Sequence, residues 1–188
     1  MMQHTISHRF LRFCLTLTLA ASLLAGCGSK ADSTLPDCPF SELKWSSTVK
    51  EMEKAEGTDY ETYDSVYGCT TYTYGKQYQG GSGTVKYMFD EDQKLACIAW
   101  AYGSESADEL YQLYNAIHAE VVAAHGESGY DTEKETNYGD IWYLDEGNII
   151  ISTMLTDSQK ALQFSYLSPE HSTAEEDRHI STKPDLVD

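Results

Sequence analysis

Basic residues are scarce in this chain of 188 residues. It has 13 lysine and arginine residues against 30 aspartate and glutamate residues, which gives a formal net charge of -17. A surface of that sign repels phosphate, so the composition argues against nucleic acid as a partner and against a polybasic grip on anionic lipid. The same charge is typical of a well-solvated, soluble surface.

Long apolar runs are also missing. The mostly apolar stretch Phe13–Leu24 is too short to span a bilayer, which needs about 20 apolar residues. It follows Arg9 and Arg12, and small residues come directly after it. A basic start, a short apolar segment and small residues before a cut are the anatomy of a cleaved export signal. We therefore predict that residues 1–26 are a signal peptide.

The end of this signal contains a short motif. Leu24-Ala25-Gly26-Cys27 resembles the lipobox of bacterial lipoproteins, in which Leu, a small residue, Gly or Ala, and Cys follow one another. The resemblance implies cleavage between Gly26 and Cys27, thioether lipidation of Cys27 and acylation of its new amino group. More than one acyl chain holds a protein stably on a bilayer. The alternative is an ordinary secretory signal with an incidental cysteine.

This motif sets the predicted location. The mature chain is expected outside the cytoplasm, attached through its N-terminal lipid to the cell membrane or to an outer membrane, and the sequence leaves open which of the two. Residues 27–39 are small, polar and unpatterned, which predicts a lipidated flexible tether. At the other end, residues 169–188 are acidic and have no apolar stripe, which predicts a disordered tail.

Cysteines are few after the lipobox. Cys38, Cys69 and Cys97 remain, an odd number for an exported protein. One disulfide with one thiol and three free thiols are both compatible with this count. No CxxC pair or Cys/His cluster occurs, so we predict no structural zinc site.

Two segments have apolar residues at helical spacing. Ser106 is placed to cap the longer helix, and Glu109 three residues later would complete a capping box. A shorter helix is predicted over Ser47–Ala55, with Ser46 or Ser47 as its cap. The apolar stripe of the longer helix comprises Leu110, Leu113, Tyr114, Ile117, Val121 and Ala124.

Each predicted helix is followed by three strand-like runs with hairpin-length connections, which predicts antiparallel pairing. The runs after the first helix are Cys69–Tyr74, Thr84–Phe89 and Leu95–Tyr102, separated by the glycine-rich stretch 75–83 and by the turn 90–93. The runs after the second helix are Ile141–Leu144, Asn148–Leu155 and Ala161–Leu167.

The two sets correspond to each other in sequence. Aligning Gln93-Lys94-Leu95 with Gln159-Lys160-Ala161 pairs Ile98 with Phe164 and Trp100 with Tyr166, so one face is large and apolar in both. We predict an α+β domain over residues 40–168, made of two tandem helix–three-strand units at about 40–104 and 105–168. The units would form one antiparallel sheet with both helices packed on one face.

This element order resembles the beta-lactamase-inhibitor-protein-like fold, and also the small envelope lipoproteins of the outer-membrane-assembly type, which use a single helix–hairpin unit. The likeness rests on Leu43-Lys44-Trp45-Ser46 before a helix and on Tyr87-Met88-Phe89-Asp90 before a turn. It implies a binding scaffold without catalysis. No motif matches the contact residues of the inhibitor, so inhibition of a beta-lactamase is not implied.

Catalytic motifs are lacking in the sequence. It contains no Gly-x-Ser-x-Gly elbow, no HExxH spacing and no EF-hand calcium loop. His118 and His125 share a helix face, but a metal site there would need a carboxylate from elsewhere. We therefore predict no catalytic residues, metal or cofactor. An envelope hydrolase is the alternative, and it requires a histidine within hydrogen-bond reach of a cysteine or serine inside a cleft.

Tyrosine is abundant, with 14 residues. Tyr60 and Tyr63 precede the first predicted strand, and Tyr78 lies in the glycine-rich stretch. Exposed tyrosines make good contact residues, so we predict that these three bind a partner. The alternative is that they pack over sheet edges and bond through their hydroxyls. The whole sequence thus predicts a lipid-anchored, non-catalytic binding module for a protein or an envelope polymer, with a structural or assembly lipoprotein as a further alternative.

Overall fold

The fold is known from a computed structural model that describes residues 35–65, 68–134 and 137–172. The predicted signal peptide, Cys27, the first part of the tether and residues 173–188 of the tail lie outside the described residues. The two helices are α1 (Val49–Glu56) and α2 (Ala107–His125). The eight strands are β1 (Glu61–Asp64), β2 (Thr70–Tyr78), β3 (Gly81–Phe89), β4 (Leu95–Gly103), β5 (Tyr130–Lys134), β6 (Asn137–Leu144), β7 (Gly147–Leu155) and β8 (Lys160–Leu167).

The strands form one sheet in the order β1-β2-β3-β4-β8-β7-β6-β5, and every neighbouring pair is antiparallel. The predicted α+β class and antiparallel sheet are confirmed. The prediction of three strands after each helix is wrong, because β1 and β5 add a fourth strand to each set. Both additions are edge strands, and neither has the apolar alternation from which a strand is predicted.

The hairpin between β2 and β3 is tighter than predicted. The stretch 75–83 was expected to be a loop, but the strands run through it and leave only Gln79 and Gly80 as the turn. Both turn residues have positive φ, 48° and 80°, which is the backbone of a two-residue turn that follows the twist of the strands. Gly83 is therefore a strand residue, and its missing side chain leaves space for the ring of Trp100.

The helix N-termini are capped by side chains. Thr48, one residue beyond the predicted serines, caps α1 and forms a capping box with Glu51. The hydrogen bond that the carboxylate of Glu51 accepts from the Thr48 amide lowers its pKa. Ser106 caps α2 as predicted, but the carboxylate of Glu109 turns away from the cap and accepts hydrogen bonds from two other hydroxyls.

The large apolar face that the sequence predicts for β4 and β8 is buried in the core. Ile98, Trp100, Phe164 and Tyr166 are all buried on adjacent strands, with Trp100 opposite Phe164 and Ile98 opposite Tyr166. The buried side chains of the helices are Met52, Leu110, Leu113, Ile117 and Val121. The indole N–H of each tryptophan donates to a backbone carbonyl: Trp45 to Glu146, Trp100 to Lys76 and Trp142 to Gly126. Buried indoles are thereby satisfied, as their polar atom requires.

Candidate functional site

The sheet has a second face, formed by the side chains that alternate with the buried ones and point away from Trp100 and Phe164. We call it the outer face. Strand register lays two rows of side chains across it. The first row is Glu61, Thr73, Lys86, Ala99, Ser165, Ile150, Ile141 and Tyr130. The second row is Tyr63, Thr71, Met88, Cys97, Leu167, Asn148 and Tyr143.

Small side chains occupy the middle of the first row, whereas the two central strands contribute Cys97 and Leu167 to the second row. Ala99 and Ser165, on the two central strands, are 0% and 4% exposed. Tyr63 on β1 is 48% exposed, and Tyr130 on β5 at the opposite edge is 36% exposed. Met154 also points to this face and is 43% exposed. The outer face therefore has two small, buried side chains at the centre of its first row and one exposed aromatic ring at each edge.

Most of the exposed large hydrophobic side chains of the described residues lie on the outer face. Within the described residues, the large hydrophobic side chains that are exposed are Tyr63, Tyr111, Tyr130 and Met154. Tyr111 lies on α2. The other three lie on the outer face, where Tyr63 and Tyr130 are at opposite edges of the sheet, seven strand spacings or about 33 Å apart.

The three tyrosines predicted to bind a partner do not lie together. Tyr63 is on the outer face with its ring exposed. Tyr60 lies on the core side, with its ring edge-on to Tyr72 and Tyr74 and its hydroxyl donating to Glu53 at 2.9 Å. The ring of Tyr60 is thus half-buried at the margin of the core.

Tyr78 also faces the core side. Its ring contacts Phe40, Trp100 and Phe164, and its hydroxyl donates to Glu120 of α2 at 2.8 Å. Desolvation and this bond to a carboxylate raise its pKa well above the ordinary range. Of the three residues, Tyr63 is therefore the one whose ring is exposed for contact.

Tyr130 and Met154 were not predicted as site residues. Tyr130 is the first residue of edge strand β5, as Tyr63 belongs to edge strand β1 at the other end of the sheet. Tyr130 holds a place in the second half of the chain similar to that of the tyrosines before β2. This correspondence is the sequence signal that could have identified Tyr130 as a site residue. Met154 gives no such signal, because its exposure follows from its alternation along β7.

No disulfide joins the three described cysteines, Cys38, Cys69 and Cys97. Cys69 and Cys97 cannot be joined without moving the backbone. Thr71 and Cys97 each pair with Met88, so they lie two strand spacings apart, about 9.5 Å, and Cys69 lies two residues farther along. A disulfide needs Cα atoms within about 7 Å.

Burial also makes the thiols poor nucleophiles. Desolvation raises the pKa of Cys38 to about 12 and that of Cys97 to about 12. Burial is likewise the largest cause of the raised pKa of Cys69. Because the thiolate is the reactive form, a raised pKa lowers the nucleophilicity of each thiol at neutral pH.

A buried carboxylate joins α2 to β6. Asp140 is 2% exposed and accepts hydrogen bonds from the hydroxyls of Ser128, at 2.7 Å, and Tyr114. Nε2 of His118 lies 3.7 Å from the same carboxylate. Asp140 is thus the carboxylate that a metal site at His118 would need. The described residues contain no group of three or more His, Cys, Asp or Glu side chains able to hold a metal. The hydrogen bond from Tyr114 to Asp140 joins α2 to β6.

One serine lies within hydrogen-bond distance of a histidine. Oγ of Ser168 is 2.9 Å from Nδ1 of His171, and Nε2 of His171 is 3.7 Å from the carboxylate of Asp90. Ser168 is 5% exposed. It lines neither the cavity beside the β2–β3 turn nor the cavity beside residues 35–44. Its backbone N–H donates to Ala96, which ties the chain after β8 to the start of β4.

Two of the cavities on the surface of the described residues are lined in part by α2. A cavity of about 270 Å³ lies between the β2–β3 turn and α2, and we call it the turn cavity. Its lining residues are Gln79, Gly80, Gly81, Tyr102, Glu109, Gln112, Leu113 and Ala116. A second cavity, of about 430 Å³, is lined mainly by the segment from Leu35 to Lys44 and by Glu120.

A scan against protein-family models, a search of curated proteins and a search of solved structures each returned no match. Within the part of the chain that the structure describes, no helix is both long and apolar enough to cross a membrane.

Proposed function

We propose that this chain is an exported lipoprotein, held at a membrane surface by lipid on Cys27, whose domain is a non-catalytic module that binds a protein. The observation that carries the binding role is the outer face, with Ala99 and Ser165 at the centre of its first row and the exposed rings of Tyr63 and Tyr130 at its edges. Aromatic side chains and methionine are enriched in protein interfaces, and large stiff rings supply much of the binding energy.

Charge favours a protein over a phosphate-bearing envelope polymer. The formal net charge is -17, and a polymer of repeated negative charge would be repelled by it. The two rows of the outer face have few charged side chains, among them Lys86 and Glu61. The fitting partner therefore has an apolar centre and a basic margin, since complementary charge speeds encounter and excludes wrong partners.

We further propose that the two halves of the domain are copies of one unit and that both helices pack on the core side. Support comes from the strand order, in which β4 and β8 meet at the centre and each half runs outward to its own edge. The hydroxyls of Tyr87 and Tyr78, both on the core side, donate to Glu56 of α1 and Glu120 of α2 respectively. We propose the resemblance to the beta-lactamase-inhibitor-protein-like fold on the same grounds.

The anchor is tested by replacing Cys27. Cys27→Ala should abolish incorporation of labelled palmitate and leave an unprocessed precursor, because the lipid attaches to that thiol. Cys14→Ala, inside the signal, is the matched control and should behave as the natural chain. Normal processing of the Cys27→Ala form, with retention in the membrane fraction after detergent-free washing, would refute the anchor.

The binding surface is tested by crosslinking in the native host followed by mass spectrometry. The double variant Tyr63→Ala/Tyr130→Ala should reduce recovery of a partner by about tenfold or more, since truncated hot-spot rings cost more than about 1 kcal/mol each. Tyr111→Ala is the control, because Tyr111 is as exposed but lies on α2. Equal loss in both, or no loss in the double variant with unchanged thermal stability, would exclude the outer face.

A second candidate, a hydrolase, has one observation in its favour, the contact between Ser168 and His171. A nucleophilic serine must reach its substrate and needs donors placed for the oxyanion. Since Ser168 is 5% exposed, we expect a fluorophosphonate probe to leave the folded protein unlabelled. Labelling that disappears in Ser168→Ala would instead favour the hydrolase.

A further inference from the structure

The turn cavity is separate from the outer face and has a chemistry of its own. It lies on the core side, where the β2–β3 turn approaches α2. Its lining combines one aromatic ring, two primary amides, one carboxylate and two apolar side chains: Tyr102, Gln79, Gln112, Glu109, Leu113 and Ala116. Lysine and arginine are not among the lining residues, so the cavity offers no cation to a phosphate or a carboxylate ligand.

The aromatic ring in the cavity is held in place. Tyr102 stacks on Trp100 with the rings nearly parallel, 2° apart, and with centroids 5.7 Å apart. Its hydroxyl donates to Glu109 at 2.6 Å, and Ser104 donates to the same carboxylate at 2.5 Å. These two hydrogen bonds, that from Ser104 first, lower the pKa of Glu109, so this side of the cavity keeps an ionised acceptor.

The two amides come from different elements. Gln79 is in the two-residue turn, where both it and Gly80 have positive φ. The side-chain amide nitrogen of Gln79 donates a hydrogen bond to the carboxylate of Glu120 on α2 at 2.7 Å. Gln112 is exposed on α2 itself. A primary amide both donates and accepts, and it carries no charge. The cavity therefore disfavours an anionic ligand and suits one with several hydroxyl or amide groups.

We propose that the turn cavity binds one sugar residue of a neutral or N-acetylated glycan. A sugar ring has an apolar C–H face that packs on aromatic and aliphatic side chains, here Tyr102, Leu113 and Ala116. Its hydroxyls are satisfied by planar amides and carboxylates, here Gln79, Gln112 and Glu109. The volume of about 270 Å³ lies just below the range for drug-sized ligands, which suits a single ring. This site does not depend on the proposed protein-binding face.

The test uses the intact, detergent-solubilised protein and saturation-transfer difference NMR, which detects weak binding. The probes are N-acetylglucosamine trisaccharide and maltotriose. At least one of them should receive saturation from the natural chain. Ala116→Arg, which fills the cavity from an exposed position on α2, should reduce that signal about tenfold. Ala119→Arg adds the same charge on the same helix outside the cavity and should change it less than about twofold.

A second variant covers a failure of Ala116→Arg to fold, checked by circular dichroism. Gln112→Leu keeps the size of an exposed side chain but removes its hydrogen-bonding groups, and it should also weaken the signal. The absence of a signal from both trisaccharides with the natural chain would overturn the proposal, and so would an undiminished signal from the folded cavity variants. Tyr63→Ala/Tyr130→Ala should retain the sugar signal, which separates this site from the outer face.

Discussion

Replacing Gly83 with alanine is expected to destabilise the domain by several kcal/mol, because the new methyl group would enter occupied space. An ideal Cβ at Gly83 lies 2.5 Å from Cε2 of Trp100 and 2.5 Å from the carbonyl oxygen of Ala101. Carbon atoms in good contact are about 3.5–4.0 Å apart. Overpacking of this kind costs about 1–3 kcal/mol when the surroundings can shift.

The surroundings of Gly83 have little freedom to shift. Ala101 presents a backbone atom, and the indole of Trp100 is fixed by its stack on Tyr102 and by its hydrogen bond to the carbonyl of Lys76 at 3.0 Å. Displacing the indole would also leave that N–H unpaired, at about 1–3 kcal/mol. Together the two costs amount to about 2–6 kcal/mol, a large share of the 5–15 kcal/mol, roughly, that stabilises a domain.

Urea unfolding followed by tryptophan fluorescence measures this loss as a shift of midpoint at constant slope. Gly75→Ala is the matched control, since Gly75 is on the adjacent strand β2 and a Cβ there meets nothing within 4 Å. The control should stay within about 0.5 kcal/mol of the natural chain. If Gly83→Ala is equally silent, Trp100 does not lie against Gly83 and the register of β3 with β4 is wrong.

Three further predictions concern buried polar groups. Thr71→Val should stabilise the domain by about 1 kcal/mol in thermal or urea unfolding, because Oγ1 of Thr71 is buried and has no hydrogen-bond partner among the described residues. Thr73→Val, which loses a hydrogen bond to the carbonyl of Glu61, should not stabilise it. Asp140→Ala should cost about 3 kcal/mol in the same assay by leaving two hydroxyls without their acceptor, whereas Asp145→Ala on the exposed β6–β7 turn should cost less than about 0.5 kcal/mol. The fold keeps Cys97 protonated, with a pKa of about 12 against an ordinary 9.0, so the stability it contributes is complete below pH 9 and declines from pH 9 to 12. Cys97→Ala should flatten that part of the pH–stability curve, and an unchanged slope would contradict the burial of the thiol.

Local patterns in the sequence predicted much of the fold. The 3.6-residue spacing from Leu110 to Val121 and the cap at Ser106 define α2, and both are present. Alternation in β4 and β8 identified Trp100 and Phe164 as core residues, and both are fully buried. These features depend on neighbours in the chain, so a window of sequence contains the necessary information.

The binding surface could not be found in the same way. Tyr60 and Tyr63 are three residues apart at strand β1, and an odd separation in a strand sends side chains to opposite faces. Strand β1 has only four residues and no apolar alternation, so it is recognised by its pairing with β2 and not by its own sequence. The sequence predicts Tyr78 to be a loop residue, but it ends strand β2, and its ring packs against Phe40, which is distant in the chain.

The sequence by itself determined the acidic charge, the two amphipathic helices, the α+β class and the motif on which the predicted lipid anchor rests, because each is encoded within a few adjacent residues or in their sum. Only the tertiary structure decided which tyrosines are exposed, that Cys69 and Cys97 lie too far apart for a disulfide, and that a turn and a helix line one cavity. Those properties depend on strand register and on contacts between distant segments. Register follows from the free energy of the whole sheet, since a shift of one residue would turn every side chain of a strand to the opposite face.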